Sequence, residues 1–167
     1  MSITAPTGKF HKYIAALLAA GMAATVGTAL AFEHIGGFIP CKLCLEQRIP
    51  YYIGIPLMLL ALGSSVLKLP GVLTRGLLLA GALLMIWGLY LGVYHSGAEW
   101  GFWPGPTDCG AVAGPSTSGS LLDQLNAFVP PSCDEAAGRF LGLSFAGWNV
   151  VASAILATIA LRGAFKR

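Results

Sequence analysis

Long apolar runs alternate along this chain with short polar segments. Four runs contain no Asp, Glu, Lys or Arg: Tyr13–Phe32, Ile49–Leu67, Gly76–His95 and Phe140–Leu161, of 20, 19, 20 and 22 residues. At ~1.5 Å of rise per residue, a helix of each length reaches across roughly 30 Å of hydrocarbon. Open strands would leave backbone N–H and C=O groups unsatisfied there, so the runs predict helices. The second and third are joined by Lys68–Arg75, a tight turn centred on Pro70 and Gly71. The third and fourth are separated by Ser96–Arg139, 44 residues rich in Gly, Pro, Ser and Asp. Small residues recur in the runs, among them Ala15, Ala16, Ala19, Gly81, Gly88 and Gly92. Such side chains let helices approach closely in lipid. The pattern predicts an all-α membrane protein: one domain, residues 1–167, folded as a four-transmembrane-helix bundle with outer loops 33–48 and 96–139.

Composition sharpens this reading. The chain is 56% hydrophobic and 10% charged, with a mean hydropathy of +0.73. Soluble domains carry about 25% charged residues, so most of this surface must face the lipid bilayer. The same numbers exclude a disordered chain, a collagen repeat and a small disulfide-rich scaffold. A net charge of +3 is no argument for nucleic acid, and none is expected as a partner.

The distribution of charge orients the bundle. Lys9, Lys12, Lys68, Arg75, Arg162, Lys166 and Arg167 gather at one end without a single acidic residue. All the acidic residues fall at the other end, with Lys42, Arg48 and Arg139. The positive-inside rule places both termini in the cytoplasm and the long loop in the periplasm. Lys9, Lys12 and the Ala29-Leu30-Ala31 end of the first run resemble a signal peptide. That run exceeds the 7–15 residues or so of a signal core, so a retained anchor is expected.

Cys41, Cys44, Cys109 and Cys133 all fall in the outer segments. An even count on an oxidising side reads as two disulfides, Cys41–Cys44 and Cys109–Cys133. A C-x-x-C bridge closes too small a loop to stabilise much, and its usual virtue is thiol exchange. Pro40 suits a first helical position, which would put Cys41 and Cys44 in the first turn, where the helix dipole favours thiolate. Arg48, at i+4 from Cys44, would lie on the same face one turn deeper. A Cys109–Cys133 bridge would be a staple worth about 3 kcal/mol on its own, and beside an exchange-competent pair it reads as a second redox station. Within that loop, Leu121, Leu122, Leu125 and Phe128 have helical spacing suited to the membrane surface. Two further readings remain open on the residues: a metal-binding or metal-transporting membrane protein, with His34 and His95 supplementing the thiols, and a stapled structural subunit. Leu45 follows Cys44, which excludes the covalent haem motif.

The order of span, C-x-x-C, span, turn, span, cysteine-bearing loop and span resembles the bacterial disulfide-bond formation protein B (DsbB) family over nearly the whole chain. The sharpest parts are Pro40-Cys-Lys-Leu-Cys-Leu-Glu-Gln-Arg48, Tyr94-His95 and Phe140-Leu-Gly-Leu-Ser-Phe-Ala-Gly-Trp148. Gln47 and the Trp100–Pro106 segment depart from the family pattern. The resemblance implies an inner-membrane thiol–quinone oxidoreductase that reoxidises a periplasmic DsbA-like dithiol carrier and passes electrons to the membrane quinone pool, ubiquinone ahead of menaquinone. It implies that the carrier attacks Cys109, that Cys133 passes electrons toward Cys41, and that Cys44 faces the quinone. It also implies that Arg48 and His95 line the quinone site. Trp87, Trp100, Trp103 and Trp148 read as interface or packing aromatics.

Overall fold

A computed structural model describes residues 7–106 and 132–166. Its elements are α1 (Lys9–His34), α2 (Lys42–Glu46), α3 (Ile49–Val66), α4 (Gly71–Glu99), β1 (Arg139–Phe140), β2 (Leu143–Ser144) and α5 (Phe145–Phe165). Each expected span has one long helix as its body: the first and third fall wholly within α1 and α4, the second ends one residue beyond α3, and the fourth begins five residues before α5. Four helices, with α2 and α3 taken as one, are long and apolar enough to cross a membrane. Cys109 and the segment Leu121–Phe128 lie outside the described residues.

Three boundaries differ from those the apolar runs predict. The turn between the second and third spans is shorter, because Pro70 caps α4 at φ −49° and Gly71 already opens the helix. Lys68 takes a left-handed φ of 56° to make that turn. At its other end α4 continues through Glu99, a full turn past His95. The fourth span starts at Phe145 rather than Phe140. Arg139 and Phe140 pair antiparallel with Ser144 and Leu143 around Leu141 and Gly142, at φ 52° and 84°. Two successive positive φ values make a turn that matches strand twist. Ser144 then caps α5, its Oγ accepting from Gly147 N at 3.1 Å, so the helix cannot begin earlier.

The four long helices form a ring, α1 against α3, α3 against α4, α4 against α5 and α5 back against α1. Leu18, Met22, Met58, Leu78, Met85 and Ala160 fill the middle. Outward-facing positions are apolar too, including Leu59, Leu60, Leu83 and Ile155, as a lipid-facing helix requires. At the basic end, Thr7 Oγ1 donates to Ser65 Oγ at 2.9 Å, and Ser64 Oγ meets Thr74 Oγ1 at 2.8 Å. These bonds tie the start of α1 to the α3–α4 turn.

The largest interface, between α4 and α5, depends on glycine. A Cβ on Gly92 would stand 3.0 Å from Val150 Cγ2 and 3.3 Å from Val150 N. Gly92→Leu should therefore wedge α4 from α5 and cost about 1–3 kcal/mol, read as earlier thermal unfolding in detergent. Gly27→Ala, whose Cβ would meet nothing within 4 Å, should leave unfolding unchanged or slightly later.

Candidate active site

Phe38, Ile39 and Pro40 run extended from the end of α1 into Cys41. Cys41 is the cap of α2, at φ −77° and ψ 171°, and its Sγ accepts from Cys44 N at 3.3 Å. A sulfur thus takes the place that Ser or Asp usually fills at a helix start. Pro40 precedes the cap rather than opening the helix, so only Cys44 sits in the first turn. The bridge expected between Cys41 and Cys44 is open. Both are free cysteines, in contact at 2.7 Å between Sγ atoms. The cap geometry brings the sulfurs together without a covalent bond, and they share a hydrogen instead. That hydrogen bond from Cys44 pulls the Cys41 thiol down to about 5, against the opposing effect of burial and with further help from His95. Cys41, which also accepts from Cys44 N, is the more acidic thiol of the pair.

His95, on α4, is 3% exposed. Its Nε2 lies 3.7 Å from Cys41 Sγ, and its Nδ1 lies 2.7 Å from Gln47 Nε2. Cys133 is buried and disulfide-bonded. The Cys133 Sγ, the Cys41 Sγ and a His95 ring nitrogen all lie within 4.8 Å of one another. Two contacts bring the Cys133 segment here. Gly105 N donates to Asp134 Oδ1 at 3.1 Å, and Trp103 donates from Nε1 to Tyr94 O at 2.8 Å while stacking on the Tyr94 ring. Gly97 makes room for that indole. As metal ligands the three residues fit poorly, because a disulfide sulfur offers no thiolate and only Cys41 and His95 of the three would remain. His34 is not part of the cluster.

Arg48 does not continue the helix of Cys44. α2 ends with Gln47 as its cap, and Arg48 caps α3. From this break, the Arg48 Nη1 donates to Glu33 Oε2 at the end of α1. Arg48 is buried and Glu33 half-buried, so Arg48 is a paired rather than an unaccompanied interfacial cation. The break also aims Gln47 inward. Its Oε1 accepts from Asn149 Nδ2 at 2.6 Å, and Asn149 Oδ1 accepts from Tyr51 OH at 2.6 Å. Ser153 Oγ meets the same hydroxyl at 2.8 Å.

A cavity of about 480 Å³ opens between α1, the α2–α3 break and the start of α5. Phe32, Phe38, Phe140, Phe145 and Trp148 supply its aromatic walls. Phe32 and Phe38 pack on Phe145 at centroid distances of 4.8 and 5.5 Å. Cys44, Gln47, Arg48, His95 and Asn149 bring the polar atoms to its lining. The structure thus gathers Cys41, Cys44, Cys133, Arg48 and His95 at one end of the bundle. Sequence reading missed Glu33, Gln47, Tyr51, Asn149, Ser153 and Glu99. Two signals pointed to some of them: Asn149 and Ser153 stand at i,i+4 inside an apolar run, and Glu99 stands at i,i+4 from His95.

Comparison with known proteins gives the site a family. The model of the family described as disulfide bond formation protein DsbB matches residues 11–162. A protein named disulfide bond formation protein B, from Pasteurella multocida (strain Pm70), is 35% identical over 136 residues, which cover 76% of this chain and 70% of that protein. No solved structure matches. A capped thiol pair beside a third, bonded cysteine in a four-helix membrane bundle accords with these matches, and the chain belongs to the DsbB family of disulfide bond formation membrane proteins.

Proposed function

We propose that this protein is a protein-dithiol:quinone oxidoreductase, taking electrons from a DsbA-like soluble carrier and delivering them to a membrane quinone. The observation that carries the reading is the continuity of sulfur from loop to cavity. Cys133 is packed against Cys41, Cys41 touches Cys44, and Cys44 lines the cavity.

In the proposed cycle the carrier's thiolate attacks Cys109 and displaces Cys133 from their disulfide. The Cys133 thiolate attacks Cys41 of the closed Cys41–Cys44 pair and displaces Cys44. The carrier's second thiol then displaces Cys109 and leaves as a disulfide. Cys109 in turn displaces Cys41 from Cys133, restoring the loop bridge. Two electrons and the thiol protons now reside on Cys41 and Cys44. Disulfide on Cys133 with Cys41 and Cys44 open is the arrangement found here, which in this cycle is the reduced protein awaiting its acceptor.

The cavity suits a quinone ring, because aromatic side chains wall it and hydrogen-bond donors stand at its polar edge. A quinone bound there supplies the sink, accepting two electrons and two protons. Arg48 would donate to a quinone oxygen, and Glu33 would hold the guanidinium in place for it. His95 would complete the polar edge, and Cys44 would face the ring. Ubiquinone ahead of menaquinone is the expected acceptor. In this reading the cysteine-bearing end faces the periplasm, both termini lie in the cytoplasm, and the bundle sits in the bacterial inner membrane as a single domain, residues 1–167. The seven basic residues at the opposite end support that orientation.

Three outcomes test the proposal. Arg48→Ala should lower quinone reduction at least tenfold while reduced carrier still opens the protein's disulfides, and Arg48→Lys should recover part of the loss. Rapid mixing with and without quinone separates the two steps, and unchanged quinone dependence would defeat the reading. Thermal unfolding of the same preparations checks that Glu33, left unpaired, does not unfold the bundle. For Cys41, a thiol held near 5 is thiolate above that pH and loses reactivity as pH falls through it. Alkylation of Cys41 in the reduced protein, followed by peptide mass spectrometry, should be half-maximal near pH 5, and Cys44→Ala should move the midpoint up by removing the donor. Finally, reporter fusions after Arg167 and within Lys68–Arg75 should report cytoplasm, and one within Ser116–Ser120 periplasm.

A further inference from the structure

Two backbone carbonyls decide where a buried imidazole carries its proton. Gly88 O and Leu43 O can only accept hydrogen bonds. Asn149 turns its Nδ2 toward Gly88 O at 3.3 Å, and the same nitrogen donates to Gln47 Oε1 at 2.6 Å. The other end of that amide, Gln47 Nε2, donates to Leu43 O at 3.2 Å and faces His95 Nδ1 at 2.7 Å. Facing an N–H, Nδ1 is left with the acceptor role, so the ring carries its proton on Nε2. Nε2 stands 3.7 Å from Cys41 Sγ and 3.7 Å from Glu99 Oε1. One N–H therefore lies between the Cys41 sulfur, at hydrogen-bond distance for sulfur, and a carboxylate at ion-pair distance. The Glu99 side chain is 4% exposed, and its Oε2 has no partner among the described residues.

We propose that Glu99 is a positioning residue for the Cys41–Cys44 pair: acting through His95, it draws on the same Nε2–H as Cys41 and so limits the stability of the Cys41 thiolate and the oxidising strength of the pair. The inference rests on the reading of Cys41 and Cys44 as a redox pair. A carboxylate across a shared N–H from a thiolate disfavours the second negative charge. A less stable thiolate makes the reduced pair less favourable, and the disulfide becomes a weaker oxidant. When Cys41 is bonded to Cys44 or Cys133 its sulfur carries no charge, and the N–H feels Glu99 without a competing thiolate. When Cys41 is free, thiolate and carboxylate both act on that N–H. Among the described residues, Cys44 on α2 and the Cys133 sulfur also face Cys41. Beyond Cys44 lies the Arg48–Glu33 pair.

The test uses the full chain in detergent, with neither quinone nor carrier. In a background of Cys44→Ser, Cys109→Ser and Cys133→Ser, Cys41 is the one thiol. Adding Glu99→Gln should move the midpoint of iodoacetamide alkylation, and of ultraviolet thiolate absorbance, down by about one pH unit, a tenfold gain in thiolate on the rising limb. With only Cys109→Ser and Cys133→Ser as background, Glu99→Gln should shift the equilibrium of Cys41–Cys44 with dithiothreitol about tenfold toward the dithiol, or about 30 mV. Glu99→Asp should restore part of both shifts. An unchanged midpoint and potential overturn the proposal. So does an upward shift, which would make Glu99 the support of a charged imidazole beside the thiolate. A second measurement needs no change at Glu99: the ¹⁵N spectrum of the wild-type protein, with the His95 signals assigned by their loss in His95→Asn. It should show a neutral ring protonated at Nε2, and a ring protonated at Nδ1 or at both nitrogens overturns the proposal even if Glu99→Gln fails to fold. Failure of these thiol equilibria leaves the quinone reading standing, and failure of wild-type quinone reduction leaves these equilibria measurable.

Discussion

The hydrogen bond between Gln47 and His95 organises the reactive end of this protein. It joins the break between α2 and α3 to the last turns of α4, and through Asn149 it reaches α5. Polar side chains in an apolar bundle have few places to find partners, and an unsatisfied one costs several kcal/mol or so. These residues therefore satisfy each other, and doing so determines how the helix ends are placed. A neutral amide suits the position because it donates to the imidazole and accepts from Asn149 at once. A carboxylate could do only the second.

The sulfurs inherit their positions from this frame. Cys41 caps α2 because Gln47 ends that helix after little more than one turn, and the same short helix leaves Cys44 beside Cys41. His95 then meets Cys41 from α4, while the Trp103 stack and the Gly105–Asp134 bond lay Cys133 over both. Three cysteines from two distant parts of the chain end up in one small cluster, Cys41 and Cys133 buried and Cys44 half-buried.

The break between α2 and α3 has a second consequence. It turns Arg48 sideways to Glu33, and so binds the end of α1 to the start of α3. A half-buried ion pair gains little stability, since desolvation of the charges offsets much of their attraction. Here it fixes one wall of the cavity and delivers a guanidinium to its polar edge without leaving a net charge there. That combination suits the neutral ring of the proposed acceptor.

Much of this was legible along the chain, because some constraints act locally. Uncharged runs of membrane-spanning length specify helices whatever their neighbours, since lipid offers the backbone no other partner. The Cys41–Cys44 spacing marks a close thiol pair by itself, and the order of motifs carries the family. Boundaries set by short polar signals inside apolar sequence were harder to see. Ser144 as a cap was hidden by Phe140 and Leu141, and Pro70–Gly71 opened a helix where a longer turn was expected. The partner of Arg48 was beyond reach, because Glu33 is 15 residues away and meets it only once α1 and α3 pack. Gln47 and Asn149, 102 positions apart, are likewise joined only by the closing of the ring. The sequence by itself determined the spans, the candidate cysteines and the family. Tertiary structure alone decided which buried polar atoms face each other, because a hydrogen bond inside the bundle is chosen by distance and direction in space, and residue order records neither.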